Sequence, residues 1–251
     1  MFLLKFRGIK IMMNNTPPVT KNLLIINVLC FMAAIVGERY GLNLNDTLGL
    51  HYFGAEKFRL YQLFTYMFMH GGFEHIFFNM FAVWMFGRIL ESVWGSQRFL
   101  FYYILCGIGA GLIQEATQYF EFIPYMKDMA NLSAYAPSDM INIGGKMQSA
   151  EQWLRLYEHH ISVPTVGASG AVYAVLMAFG ILFPNQPMYI FPLPMPIKTK
   201  WMIMGYIAIE LYLGLTGNDG IAHFAHLGGM VFGFLLIMYW KKKGTIHGKY
   251  F

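Results

Sequence analysis

The chain has 251 residues, of which 57% are hydrophobic, 18% are aromatic and only 12% are charged. With a mean hydropathy of +0.45, it is too apolar for a single soluble core, and it predicts an all-α polytopic membrane protein. The formal net charge of +5 is interpreted as a signal of membrane orientation, with a weak attraction to anionic lipid, and not as a signal of nucleic-acid binding.

Six apolar stretches are long enough to cross a bilayer, since a spanning helix takes roughly 20 residues. They predict a bundle of six transmembrane helices over residues 22–240, in one domain. In chain order, the stretches lie at about residues 22–38, 75–92, 98–119, 164–183, 200–217 and 220–240.

Both ends of the chain are basic. Residues 1–21 hold no acidic residue, and no small-residue cleavage site follows them, so we predict a cytoplasmic lead-in to a retained first helix and not a cleaved signal peptide. Residues 241–251 are predicted to form a basic cytoplasmic tail. With both termini inside, the inner segments hold twelve of the eighteen Lys and Arg residues and the longer outer segments hold six, as the positive-inside rule predicts.

Two outer segments are longer than a simple connection requires. Residues 39–74 include an aromatic-rich run at 58–69, which suits the membrane interface, so we expect this loop to dip into the lipid surface. Residues 120–163 are more polar, and Ser149-Ala150-Glu151-Gln152 predicts a capping box for a short helix that ends near His160. This second segment is either a substrate exosite or a solvent-exposed decoration.

Polar side chains from three predicted spans fall in one layer of the membrane. At 1.5 Å per residue, Ser169 in the fourth span and His226 in the sixth lie on the order of 8 to 9 Å below the outer surface. His75 and Asn79, four residues apart on one face of the second span, lie at or just above that level. An ionisable side chain inside a membrane is a functional hypothesis by default.

These side chains predict nucleophilic catalysis. Ser169 would be the nucleophile and His226 the general base, which later protonates the leaving amine. The backbone N–H of Ser169 and the side chains of His75 and Asn79 could donate hydrogen bonds to the oxyanion of the tetrahedral intermediate. Tyr173 lies one turn after Ser169 on the same helix face, where it can pack against the imidazole.

Small residues surround the candidate nucleophile. Gly167, Ala168 and Gly170 leave room for a substrate backbone to approach Ser169, and we assign them to substrate binding and its support. The same residues would also suit close helix packing, which is the common role of a serine among glycine and alanine.

The candidate base has no acidic residue near it within its own helix, so the sequence predicts a Ser–His dyad. Glu210, in the fifth predicted span, is interpreted as a buried hydrogen-bonding group or as part of a face turned to a wet cavity. His223, three residues before His226, is expected to lie nearer the membrane interface.

Four sequence motifs follow one another along the chain. They are Gln62–His70 leading to His75 and Asn79, Phe86–Glu91 with Gly95 and Ser96, Gly167–Gly170, and Ala222–Gly229. On these motifs the chain resembles, over most of residues 60–240, the rhomboid family of intramembrane serine proteases, whose core has six helices.

The resemblance implies that Ser169 and His226 form the catalytic dyad, with His75 and Asn79 in the oxyanion site and Tyr173 under the histidine. It implies a substrate that is another membrane protein, single-pass or polytopic, cut in or beside a transmembrane helix at small residues. The substrate would pass the fifth span near residues 201–216. A bacterial inner membrane is the expected location; no cofactor and no metal is expected, and no oligomeric state is predicted.

Three alternatives stay open. An intramembrane metalloprotease would also cluster histidines, but it needs a motif such as His-Glu-x-x-His, and no histidine of this chain is directly followed by glutamate. A transporter would use intramembrane polar residues for binding, although such folds often show an internal repeat that this sequence lacks. A catalytically inactive rhomboid-like binding protein would keep the fold without the reaction.

Overall fold

Helices dominate the architecture, with two short β-hairpins between them. The computed structural model describes residues 16–129, 132–143, 145–189, 195–216 and 220–245. The elements are α1 (Pro18–Arg39), α2 (Leu44–Leu48), α3 (Gln62–Thr65), α4 (Phe73–Ala82), α5 (Arg88–Trp94), α6 (Ser96–Met129), β1 (Met140–Ile143), β2 (Lys146–Ser149), α7 (Ala150–Ser162), α8 (Ser169–Leu182), β3 (Pro187–Met188), β4 (Ile197–Lys198), α9 (Thr199–Thr216) and α10 (His223–Lys242).

The predicted all-α polytopic fold is confirmed. Four helical segments within the described ranges are long and apolar enough to cross a membrane, namely Pro18–Arg39, Phe73–Trp94, Ser96–Glu121 and His223–Lys242. The second of these is α4 and α5 joined by a π-helical turn at Val83–Gly87. Helices α8, with 14 residues, and α9, with 18 residues, occupy the remaining two predicted spans.

Three helix boundaries differ clearly from those expected from the sequence. Helix α6 continues to Met129, well beyond the expected end near residue 119. Helix α1 begins at Pro18, inside the predicted lead-in, because proline is well suited to the first turn of a helix. Helix α8 begins at Ser169 and not near residue 164, because Thr165 forms an antiparallel bridge with Leu50, which keeps the preceding residues extended. Residues 1–15 of the lead-in and 246–251 of the tail lie outside the described residues.

Helix α8 forms the centre of the bundle. Ten of its side chains or glycines are buried, on all of its faces, and it packs against α10, α6 and α9. Small residues permit this packing, because a Cβ atom at Gly229 of α10 would overlap the backbone of Gly170. The N-terminal ends of α8 and α10 therefore lie side by side.

A buried carboxylate organises one end of the bundle. Glu91 of α5 accepts hydrogen bonds from the backbone N–H groups of Val19, at 2.9 Å, and Thr20, at 2.7 Å. The hydroxyl groups of Thr20 and Ser96 also donate to it, each at 2.7 Å. Glu91 thus caps the N-terminus of α1 from another helix and joins three helices.

The outer segment 39–74 is anchored on the bundle. Tyr66 and Met67 are buried, and the Tyr66 hydroxyl donates to the carbonyl of Gly107 at 2.6 Å. Glu115 of α6 accepts a hydrogen bond from the backbone N–H of Phe53 at 2.6 Å. Its contact with the lipid surface stays a prediction.

The outer segment 120–163 has a small hydrophobic core of its own. Strands β1 and β2 form an antiparallel hairpin, and Trp153 of α7 packs against Ile143 and Leu132. The predicted capping box is present: the N–H of Ser149 donates to Gln152 Oε1 at 3.1 Å, and the N–H of Gln152 donates to Ser149 Oγ at 3.2 Å. The helix that it starts continues to Ser162, two residues beyond the expected end.

Candidate active site

The structure brings Ser169 and His226 into hydrogen-bonding contact. Ser169 is the first residue of α8, and His226 lies in the first turn of α10. Ser169 Oγ lies 2.8 Å from His226 Nε2. Because α8 and α10 approach closely at Gly170 and Gly229, these two helix starts hold a hydroxyl and an imidazole at the distance that nucleophilic catalysis requires.

The other nitrogen of the His226 ring faces a carboxylate that the sequence reasoning did not assign to the site. Glu210 of α9 is buried, and its Oε2 lies 2.9 Å from His226 Nδ1 and 2.6 Å from His223 Nδ1. The Tyr173 hydroxyl donates to Glu210 Oε1. The His226 tautomer with its proton on Nδ1 donates to Glu210 and leaves Nε2 free to accept a hydrogen bond from the Ser169 hydroxyl.

A buried carboxylate from another helix therefore lies beside the two residues that the sequence predicts as a dyad. Glu210 lies 16 residues before His226, on the preceding helix, and not within the helix of His226. The position of Glu210 inside a predicted span could have indicated this contact, because a carboxylate inside a membrane needs a partner. His223 is the first residue of α10, and its side chain is buried against Glu210; its depth in the membrane stays a prediction.

Tyr173 supports the imidazole of His226 from below. The two rings are stacked, with centroids 4.3 Å apart and planes 8° apart. One turn separates Tyr173 from Ser169 on α8, so one helix supplies both the hydroxyl and the ring that carries its partner. Together with the Glu210 hydrogen bond, this contact holds the imidazole on two sides.

His75 and Asn79 lie beside the serine, on α4. A Cβ atom built on Gly167 would lie 2.6 Å from His75 Nε2 and 3.6 Å from Ser169 Oγ, so the imidazole, Gly167 and the hydroxyl are neighbours. Gly167 has φ +129°, a backbone conformation that favours glycine. Asn79 is buried, and its Nδ2 has no hydrogen-bond partner in the described part of the chain.

A further histidine lies behind His75. His70 is buried, and its ring meets that of His75 edge-on at a centroid distance of 5.1 Å. Burial, assisted by the neighbouring His75, lowers the pKa of His70 to about 4. His70 is therefore neutral at neutral pH and places no charge beside the site.

The site opens into a large cavity. Ser169, His226, His75 and Asn79 all line it, and its volume is about 1450 Å³. Residues of the outer segment 120–163 line the same cavity. The serine is thus reachable from a space larger than the 300–1,000 Å³ that is typical of a small-molecule pocket.

The cluster of Glu210, His223 and His226 could also hold a metal ion. One ligand atom from each lies within 4.8 Å of the others, and two histidines with one glutamate are a donor set of catalytic zinc sites. The distances from the two Nδ1 atoms to Glu210 Oε2 are 2.6 and 2.9 Å, whereas two ligand atoms of one zinc ion lie roughly 3.3 Å apart. The three side chains are therefore spaced for hydrogen bonding to one another and not for binding zinc.

Comparison with known proteins shows one family. The family model described as "Rhomboid domain" matches residues 57–243. The chain is 26% identical over 175 residues to "Rhomboid protease AarA" of Providencia stuartii, covering 68% of this chain and 52% of that protein. It is 26% identical over 189 residues to "Rhomboid protease GluP" of Bacillus subtilis, covering 72% and 27%.

A mitochondrial relative is similar to the same degree. "Rhomboid protein 1, mitochondrial" of Saccharomyces cerevisiae is 26% identical over 175 residues, covering 70% of this chain and 40% of that protein. These alignments span about half or less of the length of the three relatives. The family match, the membrane helices and the four ordered motifs agree, and the chain belongs to the rhomboid family of multi-pass intramembrane proteases.

Proposed function

We propose that this protein is an intramembrane serine endopeptidase that cleaves membrane proteins in or near their membrane-spanning helices. The observation that carries the proposal is the 2.8 Å hydrogen bond between Ser169 Oγ and His226 Nε2, in a half-buried site on two tightly packed helices. Family membership supports it, since the relatives AarA and GluP are named rhomboid proteases.

The first chemical step joins Ser169 to the substrate. His226 Nε2 takes the hydroxyl proton as Oγ attacks the scissile carbonyl carbon, and the carbonyl oxygen becomes an oxyanion. The backbone N–H of Ser169 and the side chains of His75 and Asn79 donate hydrogen bonds to that oxyanion. When the intermediate collapses, His226 gives the proton to the leaving amine, and water later hydrolyses the acyl-enzyme by the same residues.

Glu210 orients the base in this mechanism. It accepts the Nδ1–H of His226, which selects the tautomer with a bare Nε2, and its charge stabilises the imidazolium that forms during attack. Tyr173 holds the same ring by stacking and binds Glu210 through its hydroxyl. We therefore propose a Ser–His–Glu arrangement in which the acid comes from α9.

The substrate class follows from the surroundings of the site. Helix α9 exposes large apolar side chains, including Trp201, Met204 and Tyr212, and lipid or another transmembrane helix is the environment that such a surface fits. We propose that substrates reach Ser169 past this helix. The protein is proposed to reside in a bacterial inner membrane, with both termini cytoplasmic.

The first experiment is labelling of the purified protein with a fluorophosphonate probe. Wild type should be labelled, and Ser169→Ala and His226→Ala should not. Labelling should persist in EDTA, since a metalloprotease would lose its activity on chelation. A folded wild type that resists the probe would contradict the proposal and favour an inactive rhomboid-like binding protein or a transporter.

A further inference from the structure

Helix α4 and the π-helical turn after it carry a stripe of aromatic rings. Phe73, Phe77 and Phe81 follow one another at intervals of four residues, and Trp84 comes one turn later. Each ring contacts the next at a centroid distance of 6.2 Å. Phe77 is 52% exposed and Phe81 is 46% exposed, so the described part of the chain leaves the centre of this aromatic stripe uncovered.

Arg88 continues the aromatic stripe by one more step. Its guanidinium lies over the Trp84 ring, with Cζ 4.2 Å from the ring centroid, which is a cation–π contact. Arg88 comes thirteen residues after His75, so it lies about 20 Å further along the helix. The guanidinium is therefore near the end of the bundle that is remote from Ser169.

The charge of Arg88 has no counter-charge among the residues that the structure describes. The side chain is half-buried, its Nε has no hydrogen-bond partner, and no ion pair of the described chain includes it. Glu91, the nearest carboxylate in sequence, already accepts four hydrogen bonds from other groups. The undescribed residues at the two ends, 1–15 and 246–251, contain no Asp or Glu. Because an arginine inside a span normally pairs with another group, an anion from outside the chain is expected here.

Other basic side chains gather at the same end of the bundle. Glu91 joins the starts of α1 and α6 there, and Lys21 and Arg98 lie in those first turns. The guanidinium of Arg98 lies 5.5 Å from the centroid of the Trp240 ring, so the basic last turn of α10 is at this end as well. A membrane protein surface with this charge attracts anionic lipid.

We propose that Arg88 and the aromatic stripe bind one anionic phospholipid, with its phosphate on the guanidinium and an acyl chain along the rings from Trp84 to Phe77. A guanidinium can donate two parallel hydrogen bonds to a phosphate, which makes arginine a preferred partner of that group. Phe77 lies eleven residues from Arg88, or about 16 Å along the helix, and one leaflet is half of a hydrocarbon core of ~30 Å. This part of the stripe is thus as long as one leaflet.

The continuity of the stripe with Arg88 favours a lipid over a free phosphate ion. The uncovered rings begin directly beside the guanidinium, so a molecule that joins a phosphate to an apolar chain fills both parts of the site. A soluble phosphate would gain only the contact with the charge, which salt screens. The site is independent of the proposed protease activity, because none of its residues lines the cavity of Ser169.

Native mass spectrometry of the purified full chain tests the site. The protein is mixed in detergent with equal amounts of phosphatidylglycerol and phosphatidylcholine that have the same acyl chains, and the two lipid-bound populations are compared. Wild type should retain phosphatidylglycerol over phosphatidylcholine by about tenfold, the effect of one hydrogen bond to a charged group. Arg88→Gln should bind the two lipids about equally. Arg88→Lys should keep part of the preference, since it retains the charge but not the planar guanidinium.

Arg98→Gln is the matched control for general charge. Arg98 is also half-buried, lies at the same end of the bundle and contacts a tryptophan ring, but it is not on the aromatic stripe. Its replacement should leave the preference for phosphatidylglycerol nearly unchanged. Thermal unfolding of each variant shows that it is folded.

The other occupants of the site give different results. Equal retention of the two lipids by wild type, or an equal loss of preference in folded Arg88→Gln and Arg98→Gln, would overturn the proposal. Displacement of phosphatidylglycerol by millimolar inorganic phosphate would also overturn it and assign Arg88 to a soluble anion. Lipid-free dimers that Phe77→Ala dissociates would assign the stripe to a second copy of the chain.

Discussion

At the scale of single residues, Glu210 connects three helices at the candidate site. It binds a tyrosine of α8 and two histidines of α10, so one side chain joins α9 to both helices that carry the dyad. The sequence could indicate that a carboxylate in a span has a partner. It could not indicate which partner, because the pairing depends on how α9 packs against α10.

Replacing Glu210 should slow the labelling of Ser169 strongly. Glu210→Gln keeps the size but removes the charge that orients His226, and we expect a loss on the order of 100- to 10,000-fold in the labelling rate constant. Glu115→Gln is the control, because Glu115 is also a buried carboxylate of a span but accepts a hydrogen bond from the backbone of Phe53 and does not line the cavity of Ser169. An equal loss of labelling in both folded variants would assign Glu210 a purely structural role.

Asn79 offers a second test of the oxyanion site. Asn79→Ala removes an Nδ2 donor that has no partner in the described structure, so the variant should keep its thermal unfolding temperature. Turnover of a membrane-embedded reporter should fall by about 100-fold or more, the usual effect of losing one oxyanion donor. Unchanged turnover would remove Asn79 from the oxyanion site.

His70 gives the folded protein a dependence on pH. Its pKa is about 4 in the folded state and about 6.5 when it is exposed on unfolding. Between these values the unfolded chain binds the proton and the folded chain does not, so stability is full above pH 6.5 and is lost as the pH falls toward 4. At pH 5 the loss should be about 2 kcal/mol.

The measurement compares wild type with His70→Asn. Unfolding midpoints in detergent at pH 7.5 and pH 5 give the change for each protein. The midpoint of wild type should fall more on acidification than that of the variant. Equal falls would mean that folding does not lower the pKa of His70.

At the scale of elements, the lengths of the apolar stretches predicted which segments are helical better than they predicted where each helix begins and ends. The capping box at Ser149 and Gln152 was predictable because both partners lie within one turn. The start of α8 at Ser169 was not, because it depends on the bridge between Thr165 and Leu50, which are far apart in sequence. That bridge moves Ser169 from the interior of a predicted span to the first residue of a helix.

The N-terminal cap of α1 by Glu91 should contribute strongly to stability. Glu91→Ala leaves the buried N–H and hydroxyl donors of Val19 and Thr20 without their acceptor, and the free energy of unfolding should fall by on the order of 3 kcal/mol. Glu38→Ala, on the exposed end of the same helix, is the control and should have little effect. Denaturation in mixed micelles measures the loss of stability in both variants. If the two variants had similar unfolding midpoints, α1 would not depend on this cap.

At the scale of the whole molecule, the candidate site lies where helix starts converge at one end of the bundle. Ser169, His226 and His75 all lie in the first turn of their helices. The sequence predicted that these residues share a layer, since the order and length of the spans determine depth. It did not predict that residues of the segment 120–163 line the cavity, because the position of that folded unit over the cavity follows from tertiary packing.

Because these helix starts meet at one end of the bundle, the orientation of the protein in the membrane determines which compartment supplies water to the site. The distribution of basic residues predicts that the ends of the chain are cytoplasmic and the β1–β2 hairpin is outside. In a protein without Cys30 and Cys106, Lys146→Cys and Lys243→Cys place matched single thiols at exposed positions of the hairpin and of the end of α10. On intact bacterial cells, an impermeant maleimide should label the first and spare the second until the cells are lysed. The reverse pattern would place the cavity of Ser169 on the cytoplasmic side, and its substrates would then be cut at their cytoplasmic ends.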